Sequence, residues 1–173
     1  MCKRNLSYLG AALPKATAYG VVGGFIGAIV MGALAYLFPI KGEPFFILVV
    51  TNIGISATVG LIVGWVLNLI AGIIIGAIFG YIVGYYHNIR VSTYSRGLVM
   101  GLLAGGLVWA WFFMPVIVAS MPTVSGLILA EAFGGHIVFG LIMGAITAAG
   151  TRLIVERERE PSIGQRPIAA SAA

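Results

Sequence analysis

Four stretches of this chain run for about 20 residues each with almost no charged side chain. They cover residues 17–38, 64–86, 97–116 and 130–151, and Glu131 is the only charged residue within them. A helix of this length spans the hydrocarbon core of a bilayer, where the backbone must satisfy its own hydrogen bonds. We therefore expect an all-α integral membrane protein with four transmembrane helices.

Composition supports this class and argues against most others. Hydrophobic residues make up 60% of the chain and charged residues only 9%, whereas a soluble domain carries about 25% charged residues. The apolar segments do not alternate with polar residues, which argues against a membrane barrel. Neither a phosphate-binding loop nor a catalytic constellation is apparent, and Cys2 is the single cysteine. We expect a protein that is not an enzyme and that carries no cofactor.

The segment 44–63 is also apolar, so that the run from 45 to 86 is about twice as long as one span requires. The distribution of Lys and Arg favours four spans over five, because four place every basic cluster on one side, as the positive-inside rule expects. These clusters precede the first span, separate the second from the third and follow the fourth. We predict an interfacial or re-entrant helix over 44–63, with both termini in the cytoplasm.

The chain resembles two copies of one two-span unit. Aligning "GIIIGAIFGY" from Gly72 with "GLIMGAITAA" from Gly140 pairs Gly76 with Gly144 and places Asn68 opposite His136. This predicts a first hairpin repeat over 17–90 and a second over 91–152, preceded by a cytoplasmic segment 1–16 and followed by a polar tail 153–173. Units with an even number of spans share one orientation, related by an axis along the membrane normal.

Glycines recur at every fourth position in these spans. Such residues form one slowly winding groove on a helix. Each glycine costs about 1 kcal/mol in helix propensity, but small residues let helices approach closely in lipid. We expect helix packing at Gly20, Gly24, Gly72, Gly76, Gly80, Gly84, Gly97, Gly101, Gly140 and Gly144. A glycine-lined pore is the alternative, although glycine offers an ion little beyond carbonyls that are already bonded.

Polar residues within the spans mark the candidate functional site, because they are expensive in hydrocarbon. Asn68 and His136 each lie one turn before a glycine stripe, and Glu131 lies five residues before His136 on a different face of the helix. For Glu131 a hydrated position at the outer boundary of the membrane is the alternative. For His136 we expect a structural hydrogen bond to Asn68 or to a backbone carbonyl. Ligation of a metal or haem and a proton relay are alternatives, although a second metal ligand is missing nearby.

The segments "GWVLNLIAGIIIGAIFGYIVG" and "AFGGHIVFGLIMGAITAAG" resemble the hairpin motif of small four-span membrane proteins of the YagU-like kind. In that family a His often precedes a run of four-spaced glycines. His136 matches this pattern, and Asn68 departs from it in the first copy. The resemblance implies a fold and little about activity. A similarity of "GGFIGA" to fluoride channels does not extend to the family's phenylalanine track.

Two functions fit these features. The first is a non-catalytic accessory subunit of a larger membrane complex, such as an energy-transducing one, whose partners are other membrane subunits or further copies of the chain. The second is a small oligomeric channel or transporter in which Asn68 and His136 line the path. The net charge of +5 lies in the segments that flank the spans, which indicates contact with anionic lipids at the cytoplasmic side rather than with nucleic acid.

Overall fold

The computed structural model describes residues 6–39, 43–52, 54–86, 91, 93–120 and 126–159. Its elements, in chain order, are α1 (Leu6–Leu37), α2 (Phe45–Asn52), α3 (Ala57–Tyr85), α4 (Tyr94–Val108), a π-helical turn (Trp109–Phe113), α5 (Met114–Ser120) and α6 (Gly126–Arg159). The π-helical turn joins α4 to α5 without a break, so these three elements form one continuous span.

Within the described residues, four helical segments are long and apolar enough to cross a membrane, which confirms the prediction of a helical fold with four helices of membrane-spanning length. They cover Leu13–Leu37, Ala57–Tyr85, Tyr94–Ala119 and Ile128–Leu153. The helices extend beyond the predicted spans. α1 begins at Leu6, within the segment 1–16 that we expected to be separate, and α6 continues to Arg159 into the predicted tail. Residues 160–173 of that tail lie outside the described part of the chain.

α1 and α6 are the central helices. α1 packs against α3 on one side and against α6 on the other, and α4 packs against the outer side of α6. The central helix α6 is also more buried than the outer span. In the apolar stretch of α6, 44% of the residues are buried, compared with 11% in the span that contains α4. The core between the helices contains Ala28, Phe79, Val83, Val91, Phe139, Met143 and Ala148.

α1 and α3 meet backbone to backbone. A Cβ placed on Gly24 would lie 2.9 Å from the Cα of Gly76 and would overlap the carbonyl oxygen of Gly72. One turn away, a Cβ on Gly20 would lie 2.8 Å from the Cα of Gly80. Since these distances are shorter than real Cβ contacts, any side chain at these positions would push the helices apart.

α4 and α6 meet in the same way. A Cβ on Gly101 would lie 2.9 Å from the Cα of Gly144 and would overlap the carbonyl oxygen of Gly140. Gly97 lies against the backbone of Gly144 and the methyl group of Ala148. All ten glycines that we expected at helix contacts lie against a neighbouring helix in the structure.

Gly54 separates α2 from α3. Its φ of +85° lies in the left-handed region that favours glycine. The N–H of Gly54 donates to Thr51 O at 3.0 Å, and that of Ile55 donates to Val50 O at 3.1 Å, as in a glycine C-cap. The structure therefore divides 44–63 differently from the prediction, because only Phe45–Asn52 forms a separate helix and the remainder from Ala57 opens the second span.

Gly101 and Gly106 test the role of glycine at the helix contacts. Gly101→Ala is expected to lower the free energy of unfolding by about 1–3 kcal/mol, because the new methyl group has no room. Gly106→Ala on the same helix is the control, since the nearest atom to its Cβ would be 4.0 Å away. It should gain up to about 1 kcal/mol in helix propensity. Unfolding by SDS in mixed micelles measures both, and equal effects would contradict the packing role.

Candidate functional site

A cavity of about 650 Å³ lies at the end of the bundle where α1 ends and α6 begins. Its walls come from α1, α2, α3 and α6, together with Phe113 of the π-helical turn. Most of the lining side chains are apolar, among them Met31, Leu34 and Val49. The cavity is therefore a hydrophobic space, and its few polar groups are the ones that give it chemical character.

The structure brings the three polar residues singled out from the sequence to this one cavity. Asn68 lines it from α3, and His136 and Glu131 line it from α6. Glu131 and His136 lie on different faces of α6, as expected, yet both border the cavity. Gly134 and Gly135 between them carry no side chain, which leaves more of the circumference of α6 open to this space.

His136 is deeply buried and only half satisfied. Its side chain is 3% exposed, and Nδ1 lies 2.7 Å from the carbonyl oxygen of Ala132, one turn earlier in α6. Because a carbonyl only accepts, Nδ1 carries the proton and Nε2 presents its lone pair. Among the described residues, nothing donates to Nε2. The partner of His136 is thus a backbone carbonyl, which is one of the two that we expected, and not Asn68.

Asn68 connects two helices. Its Nδ2 donates to the carbonyl oxygen of Ala28 in α1 at 2.8 Å. This bond adds to the close glycine contacts between α1 and α3, and it fixes the amide at the wall of the cavity. This bond uses Nδ2 and leaves the amide oxygen Oδ1 as a further acceptor of the half-buried Asn68.

Phe113 completes the wall because the third span changes its helical pitch. Pro115 has no N–H and would clash with the carbonyl four residues earlier in a regular helix. The N–H of Met114 instead donates to Trp109 O, five residues earlier. This π-helical turn places the ring of Phe113 against the imidazole of His136, with centroids 4.1 Å apart and the planes at 64°. π-Helical turns are frequent at functional sites.

A second, much smaller pocket of about 10 Å³ adjoins the cavity, which is close to the space that one water molecule needs. Five residues line both spaces, namely Met31, Asn68, Ala71, Phe113 and His136. Phe139 lines only the smaller pocket and is 2% exposed. Phe139 also belongs to the packed core, so the smaller pocket borders that core.

The surroundings of His136 do not add support for the alternative that it ligates a metal. In the part of the chain that the structure describes, no group of three or more His, Cys, Asp or Glu residues lies together as a metal site would require. The other buried side-chain atom without a partner among these residues is Nε1 of Trp109, which does not line the cavity. The unpartnered Nε2 of His136 is thus the polar feature particular to this site.

Sequence reasoning identified Asn68, His136 and Glu131 but not Phe113. The signal for Phe113 was present in "WAWFFMP", where a proline follows an aromatic run inside a span. A proline there requires an adjustment of the preceding turn, and the adjustment sets the direction of the aromatic side chains.

Comparisons of the chain with protein-family models, with curated proteins and with solved structures found no match. The resemblance to YagU-like proteins therefore stays a prediction. The function must be argued from the geometry of the cavity.

His136→Leu tests whether the imidazole is needed for folding. The carbonyl of Ala132 still accepts the backbone N–H of residue 136 in the helix, and an orphaned buried acceptor is removed. We expect the free energy of unfolding to stay unchanged or to rise by up to about 2 kcal/mol. Phe139→Ala, one turn away, is the control and should cost about 3–5 kcal/mol. A comparable loss in His136→Leu would show that Nε2 has a structural partner.

Proposed function

We propose that this chain is a non-catalytic membrane protein that binds one lipophilic molecule in the cavity between α1, α3 and α6. The observation that carries the proposal is the large apolar cavity, which His136 lines while its buried Nε2 has no partner among the described residues. A buried acceptor without a donor costs about 1–3 kcal/mol. Because Nε2 is itself buried in the ligand-free structure, a ligand that donates to it and recovers this free energy has to displace a side chain that covers it.

The size and lining of the cavity support a small-molecule ligand. Its volume of about 650 Å³ falls within the range of about 300–1,000 Å³ that is usual for ligand sites, which are mostly apolar with a few polar groups. Leu67 and Phe38 line the cavity and are 57% and 63% exposed. In a bilayer such exposed apolar side chains face lipid, so a lipophilic molecule has a route from the membrane.

The packed core next to the smaller pocket favours binding over conduction. A channel requires a continuous path, whereas Phe139 and Met143 fill the bundle below the small pocket with almost no exposure. The channel or transporter function considered from the sequence would need these side chains to move. Binding requires only the space that is already present.

We also infer that the two helix pairs are copies of one hairpin unit. The support is a shared register of contacts. Gly24 meets Gly72 as Gly101 meets Gly140, and the next contacts along each pair correspond as well. In this alignment Asn68 and His136 occupy equivalent places. Each copy of the unit thus contributes a polar side chain from the same position to the proposed site, Asn68 from the first copy and His136 from the second.

The test of binding is fluorescence quenching by dodecanol that carries bromine on its chain. Trp65 packs against Gly32, and Gly32 lines the cavity, so a bound bromine atom lies near its indole. In nanodiscs we expect a saturable component of about one ligand per chain above the linear quenching that arises from partition into lipid.

Ala71→Phe should abolish the saturable component, because Ala71 lines both spaces and the added ring fills them. Ile74→Phe on the same helix is the matched control, since Ile74 is 52% exposed and its ring would face lipid. Purely linear quenching in the unaltered protein would refute the proposed function.

An accessory-subunit function is a second proposal, supported by the surfaces of the outer helices. Only 17% of the apolar stretch of α3 and 11% of the span that contains α4 are buried within the chain. These helices thus offer broad faces to lipid or to helices of other membrane proteins. Such a subunit would still contain the proposed ligand site.

Co-purification tests this second proposal. The tagged native protein, extracted in a mild detergent, is analysed by mass spectrometry and by its absorption spectrum, with an untagged strain as the control. We expect larger membrane proteins in a fixed ratio to the chain. Recovery of a colourless assembly of this chain alone would contradict the accessory-subunit function.

A further inference from the structure

The polar atoms of the cavity specify the charge of its ligand. We propose that the ligand is an amphiphilic cation, a protonated amine that carries an apolar chain. This inference rests on the proposed function, because it requires that a lipophilic molecule enters the cavity. It adds a preference for positive charge, for which the responsible residue is Glu131.

Most of the donors at the cavity wall are already engaged, whereas acceptors are free. Nδ1–H of His136 is bonded to Ala132 O, and Nδ2 of Asn68 donates to Ala28 O. The remaining acceptors are the carboxylate of Glu131 and Oδ1 of Asn68, together with the buried Nε2 of His136. The second N–H of Asn68 is the one remaining donor on these side chains. A head group with several N–H donors therefore matches this wall.

Glu131 adds a negative charge that the described cavity does not balance. It lies near the start of the fourth candidate span, where it is half-buried, and it lines the cavity. None of the described lining residues is Lys or Arg. An ionisable residue within a membrane span is usually functional and has a partner. A cation in the cavity would stabilise the carboxylate, whereas an anionic ligand would be repelled by it.

Glu131 suits an ammonium head, because its carboxylate is the one charged group among the described residues that line the cavity. The apolar chain of the ligand then lies along Met31, Leu34 and Val49. The ammonium head of the ligand thus meets polar acceptors, and its apolar chain meets apolar side chains.

An inorganic cation fits the cavity less well than an amine. Ca²⁺ requires about six to eight oxygen ligands, and Mg²⁺ requires an octahedral shell. The described lining supplies far fewer side-chain oxygens and is otherwise largely apolar. An organic cation uses the same negative charge and also buries an apolar body against these walls.

The test compares three probes that share one chain-brominated dodecyl group and differ in the head: dodecylammonium, dodecanol and dodecanoate. The full chain is reconstituted in nanodiscs of uncharged lipid, and saturable tryptophan quenching gives each dissociation constant. We expect dodecylammonium to bind about tenfold more tightly than dodecanol, as a charge-assisted contact in a poorly hydrated site allows. Dodecanoate should show no saturable binding.

Two Glu variants locate the source of this preference. Glu131→Gln keeps the size and polarity of the side chain, and should bring the ammonium and alcohol probes to similar affinities while dodecanol binding stays unchanged. Glu43→Gln is the matched control, because Glu43 is exposed between α1 and α2 and does not line the cavity. It should leave the preference intact. His136→Leu should weaken both probes by a similar factor.

The outcomes separate this inference from the proposed function. Saturable dodecanol binding without a preference for ammonium, a preference that survives Glu131→Gln, or one that Glu43→Gln removes equally would each overturn the cation inference and leave the binding function standing. Tighter binding of dodecanoate would overturn it as well. If no probe shows a saturable component, the proposed function itself fails.

Discussion

The close backbone contact between glycine-bearing helices is the interaction on which the rest of this structure depends. In hydrocarbon, apolar side chains gain little by leaving lipid for protein, so helices associate through packing at short range. The contact of Gly24 with Gly72 and that of Gly101 with Gly140 join the chain into two tight pairs. The pairing of α1 with α6 then assembles these pairs into one bundle.

The same contacts determine where the polar residues lie. Asn68 and His136 each precede a glycine stripe by one turn, at the depth where the bundle opens into the cavity. Their hydrogen bonds differ, and this difference creates the site. Asn68 donates to the neighbouring helix through Ala28, whereas His136 donates within its own helix and leaves Nε2 without a partner. One position thus contributes to the packing of two helices, and the other leaves a buried acceptor without a partner beside the cavity.

A bundle built on such tight contacts has room for a cavity only where they are interrupted. α1 ends at Leu37, and the short helix α2 follows it and lines the cavity before α3 begins. The π-helical turn places Phe113 against His136. An open space with an unsatisfied acceptor lowers the stability of the ligand-free protein. Sites of this kind commonly trade stability for function, which is consistent with the proposed binding of a lipophilic molecule.

The sequence by itself determined the four long apolar helices and singled out the three polar residues that line the cavity, because length, hydropathy and the rarity of polar residues in apolar runs are local properties. It also indicated the positions of the glycine contacts through their period of four. Only the tertiary structure decided that Asn68, Glu131 and His136 border one cavity, that Phe113 joins them, and that Nε2 of His136 has no partner. These features depend on how Gly54 divides α2 from α3 and on how the turn before Pro115 rotates its side chains. Both are local departures from regular helix geometry, and their effect on the neighbouring helices is not contained in the pattern within any single helix.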